Sequence, residues 1–192
     1  MSIAVLITIS ANAQLSKQEQ IDLQYMREEE KMAHDAYLTF FDKWPVQPFA
    51  NIRAAETQHI ALVLDLMARF KVPDPLAGNE NKRGVFVNSE IKTLYAGLIA
   101  KGNTSLTAAF QASALIEETD IRDLQSRYVS TKNADIRNTY TLLIQASENH
   151  LRAFVRNLKQ RGITYTPQVL DQTEFNRILN EKQGNRPNRR GS

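Results

Sequence analysis

Cysteine is absent from this 192-residue chain. Its absence excludes disulfide cross-links and leaves carboxylates and imidazoles as the strong metal-binding side chains. Histidine is scarce as well: there are three, His34, His59 and His150, so the position of each along a helix carries weight. Glycine and proline number 7 and 6, and where they fall they mark the ends of elements. Charge of one sign does not dominate, since 24 Lys and Arg face 21 Asp and Glu, leaving +3. Part of that excess lies at Arg186, Arg189 and Arg190, so no nucleic-acid-binding surface is expected. Nor does any apolar run reach the roughly 20 residues of a membrane span. What remains is a chain with 42% hydrophobic residues, long enough for one domain with a core of its own.

The first residues read as a targeting segment. Ile3-Ala4-Val5-Leu6-Ile7-Thr8-Ile9 is an apolar stretch followed by Ala11-Asn12-Ala13, a small-x-small cleavage pattern, although no basic residue precedes it. The expectation is a signal peptide over residues 1–13, with cleavage after Ala13 and a periplasmic or secreted protein. The lack of cysteine fits that location. The domain is then expected over residues 16–182, followed by a disordered basic tail at 183–192 for which contact with anionic lipid or polysaccharide is the weaker expectation.

Helical periodicity dominates the body. Ser16-Lys17-Gln18-Glu19 is a capping box, and it opens a helix over about residues 17–42 whose stripe is Leu23, Met26, Glu30, Ala33, Tyr37 and Phe40. Trp44-Pro45 ends it, because proline disfavours helix in the residue before it. Pro48 suits the first turn of a second helix, over about 49–71, which Pro73 and Pro75 end. Residues 73–88 hold Pro, Gly and Asn around Val85-Phe86-Val87 and read as a loop with one extended segment. Ser89 is placed to cap a short helix over about 90–101, with Gly102 closing it in the left-handed conformation.

Another long helix, over about 105–129, carries Leu106, Phe110, Ala114, Glu117, Ile121 and Leu124 along one stripe. Its successor starts at Thr131 or Asn133, runs to Gly162, and carries Ile136, Tyr140, Leu143, Ser147, His150 and Phe154. Asp171-Gln172-Thr173-Glu174 is a second capping box before a short helix at about 175–180. Two hairpins with short links, joined by a long crossover that contains a short helix, are the connectivity of an all-α, ferritin-like four-helix bundle.

The chemistry is on the stripes. Glu56 and His59 are three apart, so they project from one face of the second helix and could hold one ion. Glu30 and Glu117 are in register with the apolar stripes of their helices, whereas Glu28, Glu29 and Glu118 are expected to face water. His150 lies on the fifth helix, but the residue three before it is Ser147 where a matched site would have Glu. Glu148 is about 100° away around the helix, so Asp120, three after Glu117, is the better substitute. His34, one turn beyond Glu30, is a weaker ligand candidate, and Tyr37 is placed to hydrogen-bond a bridging carboxylate or carry an electron. An oxygen-rich set with imidazole favours iron, then manganese or zinc, over calcium or magnesium.

The residues Arg27-Glu28-Glu29-Glu30-Lys31-Met32-Ala33-His34-Asp35, Ala55-Glu56 with His59, Leu115-Ile116-Glu117-Glu118-Thr119-Asp120-Ile121 and Asn149-His150-Leu151-Arg152-Ala153-Phe154 carry a further signal. Together with Tyr165-x-Pro167 and Glu174-Phe175, they resemble the DUF2202 group of bacterial and archaeal proteins within the ferritin-like superfamily. The resemblance implies a ferritin-like bundle with a metal centre and no established reaction. It also implies Glu30, Glu56, His59, Glu117 and His150 as ligands. Ser147 departs from the superfamily's second Glu-x-x-His, and His34 stands where an Arg would be expected. The functional expectation is an exported protein that binds one or two ions, for oxidation, peroxide reduction or metal handling. The alternative is a non-enzymatic envelope bundle with a metal-free polar core. Metal ions are the expected partners, a homodimer is allowed, and no membrane span is expected once the leader is removed.

Overall fold

A computed structural model describes residues 14–181; the expected signal peptide and basic tail lie outside the described residues. Among the described residues are six helices and no strand: α1 Lys17–Lys43, α2 Gln47–Arg69, α3 Ser89–Gly102, α4 Leu106–Ser130, α5 Ala134–Lys159 and α6 Gln172–Asn180. None of these helices is long and apolar enough to cross a membrane.

The helix ends follow local chemistry. Ser16 and Glu19 form the expected reciprocal capping box on α1. Pro48 stands in the first turn of α2. At α3 the cap is Asn88 rather than Ser89, because its side chain accepts from the backbone N–H groups of Glu90 and Ile91. Gly102 is likewise there for a different reason from the one expected. It is not among the residues with positive φ, and a Cβ at this position would stand 2.3 Å from the ring of Phe40, so the requirement is close approach. Gly162, by contrast, takes the left-handed conformation after α5, at φ 74°.

Each long helix packs against two others: α1 on α2 and α4, α5 on α4 and α2. Thr131 donates to Glu19 at 2.6 Å, which sets the end of α4 beside the start of α1. At the opposite end, the Trp44 indole N–H donates to the carbonyl of Gly102. The link from α2 to α4 must therefore descend the whole length of α1, and it is pinned there step by step. Gln24 reaches the carbonyl of Pro73, Arg27 pairs with Asp74, and Glu28 accepts from the N–H groups of Val87 and Asn88. Lys31 donates to Asp35 and to the carbonyl of Lys82, while the N–H of Gly84 donates to Asp35.

This crossover corrects the expectation that Glu28 and Glu29 face water; they are 3% and 1% exposed. A helix flanked by α2, α4 and a strap has no wet face in its middle, and residues 26 to 33 of α1 are all buried. Glu118 is corrected in the same way. It is fully buried, and it accepts from the Tyr165 hydroxyl and from the N–H groups of Gln168, Val169 and Leu170 in the segment that precedes α6. The carboxylate acts as a buried anchor for a stretch of backbone with no helix or sheet to satisfy it.

Apolar residues form two clusters along the bundle. One contains Tyr37, Phe40, Phe49, Phe110 and Phe154; the other contains Leu23, Met26, Val63, Leu66, Leu124 and Leu143. Replacing Glu118 with Ala should cost about 3 kcal/mol or more, because each buried donor left without an acceptor costs roughly 1 to 3 kcal/mol. Urea denaturation measures this, and a loss below about 1 kcal/mol would contradict the anchoring role.

Candidate metal centre

The four long helices bring Glu30, Glu56, His59, Glu117 and His150 together. Glu56 and His59 share a face of α2 through their three-residue spacing, and α1, α4 and α5 each add a residue from the stripe they bury. Two overlapping triads result: Glu30, Glu56 and His59, and Glu56, Glu117 and His150, each with its ligand atoms within 4.8 Å of one another. Glu56 belongs to both. Its Oε2 lies 2.7 Å from His59 Nδ1 and its Oε1 lies 3.0 Å from His150 Nδ1. Glu30 Oε2 completes the first side at 3.3 Å from His59 Nδ1, and Glu117 Oε1 the second at 3.5 Å from His150 Nδ1. The two imidazole rings are stacked, with centroids 5.5 Å apart and planes at 19°.

These atoms are close without being well paired. His150 Nδ1 forms no aligned hydrogen bond despite its short distances, and Glu30 Oε1 has no partner at all. An unpartnered carboxylate oxygen among converging acids and imidazoles, the imidazoles becoming ligands on loss of a proton, fits a cation better than a closed hydrogen-bond network. Glu56, with one oxygen toward each triad, has the disposition of a bridging carboxylate.

Burial and mutual charge set the protonation states. Burial pushes the Glu56 carboxyl up, but the imidazoliums of His150 and His59 outweigh it and hold Glu56 well below the usual carboxylate range. Burial lowers His59, yet Glu56 and Glu30 overcome this and raise it to about 11. His150 is raised to about 10 against the same burial effect by Glu117 and Glu56. Glu30 is pushed up to about 7, chiefly by burial, with His59 opposing. Burial likewise raises Glu117. Without metal, the two histidines are thus internal cations among the acids.

Tyr37 donates its hydroxyl to Glu117 Oε1 at 2.5 Å, and burial together with Glu117 keeps it a phenol. Ser147, where a symmetric site would have Glu, donates to Asp120 Oδ2 at 2.5 Å. Asp120 is not part of either triad, and its Oδ1 is buried without a partner. Its carboxyl is raised well above the usual range, first by burial, then by Glu30 and Glu29, with Glu117 a smaller influence. Asp120 therefore stands against Ser147, at the place of the missing Glu but outside both triads, and its largest charge interaction is with Glu30. His34 lies outside both triads; its Nδ1 is 3.1 Å from Asp35 Oδ1, in the network that holds the crossover. Glu148 turns away to Arg177, 2.6 Å distant. One residue that periodicity assigned to water, Glu29, joins the buried acids beside the centre, and both its oxygens are unpartnered. Three consecutive glutamates on a helix enclosed on three sides were the available signal.

The uncharacterized protein domain DUF2202 matches residues 19–182. The uncharacterized protein MJ0754 of Methanocaldococcus jannaschii is 41% identical over 165 residues, which span 86% of this chain and 88% of that protein. The crystal structure of the hypothetical protein MJ0754 superposes with a TM-score of 0.87 at 37% identity, over 96% of this chain and all of that one. Both descriptions leave function open, but the extent of the match does not leave the family open: the chain belongs to the DUF2202 family.

Proposed function

We propose that this is a ferritin-like bundle that binds two transition-metal ions, iron before manganese or zinc, and handles or oxidises substrates through that pair. The observation that carries the reading is Glu56, whose two oxygens each face a separate histidine-containing triad. Two hairpins joined by a long crossover, with ligands contributed by all four long helices, support the ferritin-like assignment. Export belongs to the same proposal and rests on the apolar segment and Ala11-Asn12-Ala13.

A bound iron or manganese pair would supply Lewis acidity and one-electron chemistry. The protein's own part is positional. Glu56 would be shared by the two positions, Glu30 and His59 would complete the first, and Glu117 and His150 the second. Tyr37 fixes the orientation of Glu117 and keeps a proton at its Oη, within reach of that position. Phe154 and Phe49 pack on the Tyr37 side and exclude water there. The histidine side chains, 7% and 10% exposed, are nearer solvent than Glu30, Glu56 or Glu117.

A metal-free polar core is the second reading, favoured by the short Glu56–His59 and Glu56–His150 contacts, which already pair opposite charges. Thermal melts with and without EDTA separate the two: a metal-holding bundle should melt lower in chelator, and a metal-free one should not respond.

Anaerobic titration with iron(II) should give about two ions per chain, and Glu56→Ala should lose both. Because His59 and His150 are raised to about 11 and 10, each is protonated at neutral pH and must release its proton to become a ligand. Affinity should therefore rise with pH, the apparent log K of each position climbing by about one per pH unit between roughly pH 7.5 and 9. A pH-independent constant would contradict this arrangement. Ser147→Ala should weaken the first position by about tenfold while sparing the second, since its hydroxyl orients Asp120. Isothermal titration resolves the two affinities, and an equal loss at both would show that Asp120 does not distinguish them.

A further inference from the structure

Successive residues on a helix point about 100° apart, so the three adjacent glutamates of α1 address three different neighbours. Glu28 holds the crossover and Glu30 faces His59. Glu29 faces α4, where Asp123 stands opposite: it is 1% exposed, neither oxygen accepts a hydrogen bond from an N–H or hydroxyl donor, and burial together with Asp123 holds its carboxyl well above the usual range. Among the described residues, all four buried carboxylate oxygens without a partner belong to Glu29, Glu30 and Asp120. These residues line one seam, between α1 and α4, at the level of the metal centre.

Asp123 forms the outer end of the row. Its side chain is 11% exposed, and Arg122 Nε at 2.8 Å, the Tyr25 hydroxyl at 3.1 Å and Arg127 Nη1 at 3.8 Å surround it. The Arg122 side chain is itself half in solvent, at 51%, so that side of Asp123 is the one nearest the surface, while Tyr25 and Arg127 hold it from within. One turn inward along α4 is Asp120, which reaches the centre's level. The row thus leads from the surface through Glu29 to Glu30, with oxygen ligands only and no imidazole until His59. Buried acids without donors do not stabilise a fold. A ladder of oxygen ligands does suit a divalent cation that must be held weakly and passed on, because the imidazoles that strengthen binding to borderline ions are confined to the final site.

We propose that Glu29 and Asp123 form a transit site through which a divalent cation passes along the α1/α4 seam to the centre. This rests on the metal-binding reading above. Glu29→Gln removes an ionisable oxygen ligand while keeping the shape, and Asp123→Asn does the same at the rim. Stopped-flow mixing of the full metal-free chain with cobalt(II), followed by its visible absorption, reads the loading rate; equilibrium titration reads stoichiometry and affinity. Each variant should load more slowly by about tenfold or more, as expected when focusing charge is lost from an ion's path. Final stoichiometry and affinity should be those of the unsubstituted protein. Circular dichroism melts verify folding, and if one variant fails to fold the other reads the same quantity. Unchanged loading rates in a folded variant overturn the transit site and leave the metal centre standing. A loss of equilibrium affinity that matches the loss of rate overturns it too, by making Glu29 a ligand of the centre. If the unsubstituted chain takes up no cobalt(II), the centre and the transit site fall together.

Discussion

A carboxylate buried between two imidazoles, Glu56 between His59 and His150, is the constraint on which the rest of this bundle depends. An ionised acid at that depth is tolerable only beside positive charge, and the two histidines supply it as imidazoliums or, in the proposed function, as ligands beside metal. The need to bring His59 from α2 and His150 from α5 to one carboxylate sets how the two hairpins meet. The acids that follow, Glu30 and Glu117, complete the charge balance from α1 and α4. Apolar clusters and a group of packed aromatic rings keep water away and make the interactions in this layer stronger than they would be at the surface.

Carboxylates next to the centre serve a second purpose. Glu28 and Glu118 are close in sequence to Glu30 and Glu117, yet each turns outward to hold an irregular segment, the crossover in one case and the stretch before α6 in the other. Helix-to-strap anchoring and the candidate centre are thus built from adjacent residues of the same two helices. The helices that position ligands are clamped on their far sides by backbone that would otherwise lack partners, which limits how far Glu30 and Glu117 can move.

The asymmetry between the two triads has a local origin. Ser147 is too short to reach the centre but long enough to hold Asp120, and Asp120 interacts chiefly with Glu30. A site that looks duplicated in the order of its residues is therefore unequal in its neighbours, with a serine-held Asp120 interacting with Glu30 and a tyrosine hydroxyl taking one oxygen of Glu117 on the other side. In the proposed function, that difference distinguishes a tighter from a weaker position.

By itself, the sequence determined what depends on neighbours three or four residues away. The helical period, the Ser16 capping box, the shared face of Glu56 and His59, and the inward register of Glu30, Glu117 and His150 all follow from 3.6 residues per turn. Only the tertiary structure decided what depends on residues far along the chain. An amphipathic reading grants each helix one buried face and sends Glu28, Glu29 and Glu118 to water; a strap from 59 residues on covers Glu28, α4 covers Glu29, and a segment 50 residues on covers Glu118. Asp120 met Ser147 of α5, and neither it nor His34 entered a triad, because spacing along one helix does not say which side chains of other helices stand opposite. Gly102 shows the same limit: its place at a helix end was readable, but the Phe40 ring that requires it lies on another helix.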